Sequence, residues 1–198
     1  RTLDCCAAVG AQTLVGPYHS AIGHFSGAGP TKDEWKWGVE SMRQVAEHAG
    51  DVKVLLGVEA LNRFECYFLN AHADSARFAR EVDHPACRIM YDTFHSNIEE
   101  KDIGKTLHGI KDMLCHIHIS ENDRSTPGAG NIRWKKNFEA IGEIGYNGWL
   151  VIEAFGLSLP ELAAATKIWR RMFEDELKLA KDGLAFMKAQ VAKHCKSK

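Results

Sequence analysis

The segment RIMYDTFHSNIEEKDIGKTLHGIKDMLCHIHIS, residues 88–120, gives the clearest indication of the fold. It contains a strand-like run from Arg88 to Asp92, a helical stretch from Asp102 to Met113, and a second strand-like run from Leu114 to Ile119. Short runs that are mostly apolar, without polar alternation, are typical of strands covered on both faces, and a helix between two of them forms a βαβ unit. The segment therefore predicts two parallel strands joined by a helix.

The same alternation continues in both directions along the chain. Further strands are predicted at Gln12 to Gly16, Lys53 to Val58 and Trp149 to Glu153. After a short helical end that reaches Gly10, further helices are predicted at Thr31 to Ala49, Ala73 to Val82, Trp134 to Ile144 and Pro160 to Lys193. Five βα units follow from this pattern, which indicates an α/β fold with a parallel sheet covered by helices.

The first long helix has clear boundary signals. Thr31-Lys32-Asp33-Glu34 matches the capping box, in which the Thr side chain and the Glu side chain satisfy each other's backbone N–H groups. At the other end, Gly50 is predicted to end the helix in the left-handed conformation.

A closed (β/α)₈ TIM barrel needs eight strands and about 250 residues. With five units in 198 residues, and no initiator Met at Arg1, we expect one (β/α)-barrel domain from residue 1 to 198 that lacks its amino-terminal units. Open parallel sheets expose unpaired edges, so this expectation treats the sequence as a fragment of a longer chain.

Composition limits the classes of partner. The formal net charge is −1 and 45% of the residues are hydrophobic, which favours one domain with a real core and gives no basic stripe for nucleic acid or a membrane surface. The six cysteines form no CxxC pair, so we expect reduced and mostly buried thiols. No apolar run approaches the roughly 18 residues that a membrane span needs, and the first six residues do not resemble a signal peptide, so we expect a cytoplasmic protein. We expect a small-molecule partner, no nucleic-acid or membrane partner, and a homo-oligomer.

Four successive predicted strands end in a potential metal ligand. Active sites of parallel α/β barrels lie at the carboxyl ends of the strands. The residues at these ends are Glu59, Asp92, His118 and Glu153. Any one of them could be a helix cap or a buried polar group with a structural role, but four strand ends in a row favour a shared site.

Three carboxylates and one imidazole form a hard ligand set. Such a set suits Mn²⁺, with Mg²⁺ or Co²⁺ as alternatives, and the lack of cysteine in the set argues against a structural zinc site. A cation there could polarise a carbonyl group and stabilise the enediolate that forms when a proton leaves the neighbouring carbon. Two of the carboxylates could move that proton.

At these positions the chain resembles the D-tagatose 3-epimerase and D-psicose (allulose) 3-epimerase family, which has the xylose-isomerase type of TIM barrel. The resemblance rests on four motifs in the family's order, and the NRFE and DTFHxNIEE strings are the most specific parts. The motifs are VEALNRFE (58–65), DTFHSNIEE (92–100), HIHISENDR (116–124) and IEAF (152–155).

The resemblance implies roles for seven residues. The metal ligands would be Glu59, Asp92, His118 and Glu153, and Glu59 and Glu153 would also act as the catalytic acid/base pair. The sugar hydroxyls would contact Glu65, His95 and Arg124. One glutamate would take the C3 proton of a ketohexose and the other would return a proton to the opposite face.

Three motifs depart from the family pattern. Ile119-Ser120 stands where Thr-Gly is common, Ser96 where methionine is usual, and Ala154 where proline is usual. We expect these changes to alter the shape of the pocket more than the metal ligands.

The other titratable residues receive weaker predictions. His116 lies two residues before His118, so it should point the same way, either as a partner that orients His118 or as part of the barrel interior. His19 is expected at the surface or in support of the site. Glu99 and Glu100 are expected in a loop, as a charge pair at a helix start.

Three other functions remain open at this stage. An aldose–ketose or hydroxypyruvate-type isomerase could use the same metal and glutamates, although the NRFE string argues against it. A non-catalytic metal-binding fragment is motivated by the missing strands. A DNA-repair endonuclease on the same barrel is disfavoured because the chain has no basic face and few suitably placed histidines.

Overall fold

A five-stranded parallel sheet forms the centre of the computed structural model, which describes residues 1–195. The strand order is β1-β2-β3-β4-β5, so each strand pairs with its neighbours in sequence, as in the wall of a β/α barrel. The strands are β1 (Thr13–Gly16), β2 (Leu55–Val58), β3 (Cys87–Asp92), β4 (Leu114–Ile119) and β5 (Trp149–Ile152). The predicted fold class, a TIM-barrel type with about five βα units, is confirmed.

Helices connect and cover the strands. They are α1 (Thr2–Ala8), α2 (Lys32–Asp51), α3 (His72–Val82), α4 (Thr93–Glu99), α5 (Ile103–Ile110), α6 (Trp134–Glu143), α7 (Pro160–Ala165) and α8 (Glu176–His194). None of the helices in residues 1–195 has the length and apolarity that a membrane span requires.

The main core lies between the sheet and the helices. Ile89 and Tyr91 of β3 belong to this core with Phe78 of α3 and Phe138 of α6, and all four side chains are fully buried. Because side chains alternate along a strand, Asp92 turns to the other face of the sheet. The same alternation that fills the core therefore leaves a polar side chain at the inner end of β3.

The boundaries of α2 were predicted correctly at one end only. The Thr31–Glu34 capping box is present, with both reciprocal hydrogen bonds. The prediction for Gly50 is wrong, because Gly50 lies inside the helix and the left-handed residue is Lys53 with φ 59°. A Cβ atom at Gly50 would lie 2.9 Å from Cε1 of His84, so the glycine permits close packing against that ring.

Two other helix predictions need correction. The long helix predicted from Pro160 to Lys193 is two helices, α7 and α8, because the chain turns between them at Lys167 (φ 62°) and Asp175 caps a new helix by accepting the N–H of Lys178. The predicted loop after β3 is the helix α4, and Glu99 is its last residue. Glu99 therefore does not mark a helix start.

The cysteines are all free thiols, but they are less buried than expected. Cys66 and Cys87 are buried, Cys5 is exposed, and the other three are partly exposed.

Candidate metal centre

The four predicted ligands meet at one point. Each of them offers a ligand atom, and these atoms all lie within 4.8 Å of one another. They come together because the strands are parallel and in register: Asp92 at the end of β3 is paired with His118 of β4, while Glu59 and Glu153 directly follow β2 and β5. The backbone N–H of Glu59 donates to Gly16, and that of Glu153 to Ile119, which fixes both residues to the neighbouring strand.

Asp92 uses its two carboxylate oxygens for different purposes. Oδ1 accepts the backbone N–H groups of Phe94 and His95 at 2.6 and 3.3 Å and so caps α4. Oδ2 faces Nδ1 of His118 at 3.5 Å. The helix cap therefore holds the carboxylate in one rotation and leaves Oδ2 directed at the shared point.

The surroundings of His118 fit a cation. Its Nδ1 atom is buried without a hydrogen-bond partner among the described residues. It nevertheless lies 3.4 Å from Oε1 of Glu153 and 3.5 Å from Oδ2 of Asp92. A nitrogen lone pair with two carboxylate oxygens around it is a ligand set that a divalent cation can bridge, so the residues present fit such an ion.

Negative charge is crowded into a buried volume here. Burial, followed by the charges of Asp92 and Glu153, raises the pKa of Glu59 well above its usual value. Burial lowers the pKa of His118, but the neighbouring carboxylates of Asp92 and Glu153 outweigh this and raise it to about 10. Binding of a cation here would therefore be linked to the loss of protons from these groups.

Arg124 lies against the same carboxylates. Its Nη1 atom is 3.4 Å from Oδ2 of Asp92, and it also donates to Glu153. The guanidinium carbon lies 3.7 Å from the centre of the Phe94 ring and 5.3 Å from that of Phe155, so two aromatic rings flank it. The residue is 7% exposed and has φ 63°, which shows that the loop after β4 turns sharply to bring it into the site.

The predicted sugar-contact residues are linked to one another. Nε2 of His95 lies 3.0 Å from Nη2 of Arg124 and 3.7 Å from Oε1 of Glu59. On its other side, Nδ1 of His95 faces Asn62, whose amide also donates to Oε1 of Glu65 at 2.7 Å. His95 and Arg124 therefore lie beside the proposed ligands, whereas Glu65 is connected to His95 through the side chain of Asn62.

Glu121 organises the loop that carries Arg124. Its buried carboxylate accepts four N–H groups, from the backbones of Asn122, Gly128 and Ile132 and from the indole of Trp134. A buried carboxylate without these partners would be costly, so the bonds fix the path of residues 121–134. Glu121 and Asn62 were given no role in the sequence predictions, although both lie inside the quoted motifs.

Residues with weaker predictions also have definite places. His19 contacts the backbone oxygen of Glu59 at 2.9 Å, in line with a supporting position. The ring of His116 packs edge-on against His118, and neither of its nitrogens has a hydrogen-bond partner within the described part of the chain. Glu99 pairs with Arg63 and Glu100 with His72, and neither glutamate belongs to the metal cluster.

Two of the three departures from the family pattern can be located in detail. The hydroxyl of Ser120 accepts a hydrogen bond from Nη1 of Arg124 at 3.0 Å, so this residue does border the site. The hydroxyl of Ser96 instead donates to the Tyr91 hydroxyl at 2.7 Å, and Ser96 is fully buried. Its position indicates a contribution to the core behind α4.

A parallel β/α wall with hard ligands at the carboxyl ends of its strands defines a TIM-barrel type of protein with a candidate cation site. Residues 1–190 match the family model for the xylose isomerase-like TIM barrel. The chain belongs to that family.

Relatives within this family are similar over most of the chain. A probable ketose 3-epimerase from Synechocystis sp. is 35% identical over 188 residues, which are 95% of this chain and 66% of the relative. A D-psicose 3-epimerase from Ruminiclostridium cellulolyticum is 40% identical over 70% of this chain and 47% of its own length. The solved structure of D-allulose 3-epimerase from Methylomonas sp. in complex with D-allulose aligns with a TM-score of 0.90 at 29% identity, over 95% of this chain and 66% of that one. The chain thus spans about half to two thirds of the length of these relatives.

Proposed function

We propose that this chain carries the metal-binding and catalytic centre of an isomerase, a divalent-metal-dependent ketose 3-epimerase. The observation that carries the proposal is the convergence of Glu59, Asp92, His118 and Glu153 within 4.8 Å, at the strand ends where barrel enzymes place their chemistry. The similarity to proteins named ketose 3-epimerases supports the choice of reaction.

The proposed ligands are these four residues, and the proposed ion is Mn²⁺, with Mg²⁺ or Co²⁺ as alternatives. Oxygen-rich ligand sets with one imidazole suit these ions. A divalent cation bound there would polarise the vicinal oxygens of a ketose and lower the pKa of the C–H group between them.

The chain's own residues would move the proton. Glu59 and Glu153 lie on the first and last of the four ligand strands, with β3 and β4 between them. In the proposed reaction one of these glutamates takes the C3 proton and the other returns a proton to the opposite face of a cis-enediolate. This exchange inverts C3 and leaves the carbonyl at C2.

The remaining contacts would hold the sugar. His95 and Arg124 present nitrogen atoms 3.0 Å apart beside Glu59 and Glu153, where they can face an oxygen that gains negative charge. Glu65, which is linked to His95 through Asn62, would bind a hydroxyl group of the substrate. We propose a ketohexose as the substrate class.

Product analysis tests the reaction. Fructose or tagatose incubated with the Mn²⁺-loaded protein should give the C3 epimer, and in D₂O deuterium should enter at C3. Glu143→Gln is a matched control for the variant Glu153→Gln, because Glu143 is exposed and pairs only with His108 in the described structure. An aldose as the only product would replace the epimerase with an aldose–ketose isomerase, and metal binding without any turnover would favour the non-catalytic alternative.

Three wider expectations stay predictions. The five strands form one open sheet in which β1 and β5 have no outer strand partner among the described residues, and the assignment of residues 1–198 to one barrel domain is a proposal. The cytoplasmic location and the homo-oligomeric state also remain to be tested.

A further inference from the structure

More hydrogen-bond donors surround His95 than a neutral imidazole can accept. The backbone N–H of Asn62 points at Nδ1 from 3.0 Å, and the side-chain Nδ2 of Asn62 lies 3.0 Å from the same atom. On the opposite side of the ring, Nη2 of Arg124 lies 3.0 Å from Nε2. A neutral ring has one lone pair and one N–H, so it can satisfy only one of the two sides.

The orientation of the Asn62 amide is determined by its other partners. Oδ1 accepts the backbone N–H of Phe64 at 3.0 Å, and Nδ2 donates to Oε1 of Glu65 at 2.7 Å. Rotating the amide by half a turn would place its oxygen against the Glu65 carboxylate and its nitrogen against the Phe64 N–H. The side chain therefore offers a donor to His95 and not an acceptor.

The donors on the Asn62 side of the His95 ring are also less able to turn away from it than the guanidinium of Arg124. Asn62 is 2% exposed, and a backbone N–H cannot turn away from the ring. The guanidinium of Arg124, in contrast, has alternative partners in Ser120 and Glu153. A proton on Nδ1 would face two donors at 3.0 Å, so the lone pair belongs on Nδ1 and the proton on Nε2.

We propose that Asn62 is a positioning residue that holds His95 as the neutral Nε2–H tautomer, which presents a donor beside Arg124 to an oxygen of the substrate. In that state Nε2–H and the N–H groups of Arg124 are neighbouring donors, with Nε2 and Nη2 3.0 Å apart, and one oxygen could accept from both. Nε2 lies 3.7 Å from Oε1 of Glu59, so an oxygen that accepts from it would lie in the candidate site. The identity of that oxygen as part of a ketose rests on the proposed function, whereas the tautomer does not.

Nitrogen NMR measures the tautomer directly. Long-range ¹H–¹⁵N spectra of the full chain, recorded without added metal and with diamagnetic Mg²⁺, distinguish a protonated ring nitrogen from an unprotonated one. The His95 signals are assigned by their loss in His95→Gln. We expect an unprotonated Nδ1 and a protonated Nε2 in the absence of any sugar. A protonated Nδ1 in the wild-type chain would overturn the proposal whether or not the protein is an epimerase.

Two variants test the side chain of Asn62. Asn62→Asp replaces the Nδ2 donor with an acceptor while the backbone N–H remains, so the population of the Nδ1–H tautomer should rise and kcat should fall by up to about 100-fold, the order expected for loss of one donor to a developing charge. Asn70→Asp is the matched control, because Asn70 lies in the same loop but bonds to Leu61 and Cys66 instead of His95. It should keep the wild-type tautomer.

The readouts separate this inference from the proposed function. An unchanged tautomer in folded Asn62→Asp, or a changed tautomer with unchanged kcat, would refute the role of Asn62. A correct tautomer in a protein that does not epimerise ketoses would refute the proposed reaction and leave the tautomer assignment in place. The wild-type spectrum decides the tautomer even if the variant fails to fold.

Discussion

Replacing Glu121 with glutamine should destabilise the protein strongly although the two side chains have the same shape. Oε1 accepts the N–H groups of Asn122 and Ile132 at 3.1 and 3.0 Å, and Oε2 accepts those of Gly128 and the Trp134 indole, both at 2.9 Å. Glutamine keeps one accepting oxygen and puts an NH₂ group in place of the other. Whichever way the amide turns, two N–H donors then face a donor, and one of them belongs to a buried residue, Ile132 or Trp134.

The magnitude follows from the number of lost bonds. Hydrogen bonds to a charged group contribute about 1.5–3 kcal/mol each, so the loss of two predicts a fall in the free energy of unfolding of about 3–6 kcal/mol. Urea denaturation followed by far-UV circular dichroism measures this difference. Glu139→Gln is the control: its side chain is 42% exposed and pairs with Lys135 across one helical turn, and it should change the free energy by about 0.5 kcal/mol or less.

Two results would refute the reasoning about Glu121. One is a loss of free energy of unfolding in Glu121→Gln that is no larger than the loss in Glu139→Gln. The other is a strong destabilisation that Glu121→Ala does not share, because alanine removes both acceptor oxygens, and with them all four hydrogen bonds, and should cost at least as much. Agreement in both variants would establish that the loop carrying Arg124 depends on one buried carboxylate.

Three further predictions concern the ligands and a buried ion pair. Glu153→Gln should lower turnover by about 10³-fold or more, within the range for loss of an acid/base group, and normal product formation in this variant would contradict the assigned pair. Asp92→Asn should weaken Mn²⁺ binding in calorimetry by more than about 100-fold, since even residues that only orient a ligand contribute that much; unchanged affinity would exclude Asp92 as a ligand. Glu100→Gln should destabilise the protein most above pH 4.5. Burial raises the pKa of Glu100, but its hydrogen bonds to His72 and the charge of His72 outweigh this and lower it to about 2. The stabilisation of the folded state by the ionised Glu100 therefore disappears as the pH falls from 4.5 to 2. A difference in the free energy of unfolding between wild type and variant that does not change with pH would argue against the ion pair.

The sheet and the ligand positions could be predicted because they depend on local patterns. The strand Leu114–Ile119 was predicted with its observed bounds, and the ends of the other strands differ by one or two residues. Once strands are parallel and adjacent, the residues at their carboxyl ends must meet. Four sequence-distant residues, from Glu59 to Glu153, could therefore be assigned to one cluster without any knowledge of the loops.

The loops could not be predicted because their structure depends on long-range hydrogen bonds. Glu121 accepts hydrogen bonds from N–H groups seven to thirteen residues further along the chain. The hydrophobic periodicity of the sequence does not indicate such contacts. The helix α4 was missed for a related reason. Asp92 was interpreted either as a ligand or as a helix cap, whereas Oδ1 caps the helix and Oδ2 still lies in the cluster that could hold a cation.

The double use of Asp92 connects the fold to the chemistry. Oδ1 is committed to the first turn of α4, and α4 carries Phe94, which flanks Arg124, and His95. Any rotation of the carboxylate that improved its contact with a cation would weaken the cap and shift both residues. The position of the cation ligand and that of the proposed sugar contacts are therefore mechanically linked through one short helix. For this reason Asp92→Ala, which removes the helix cap together with the proposed ligand, should perturb His95 as well as metal binding. Glu153 caps no helix in the described structure, so Glu153→Ala should affect the metal site without moving α4.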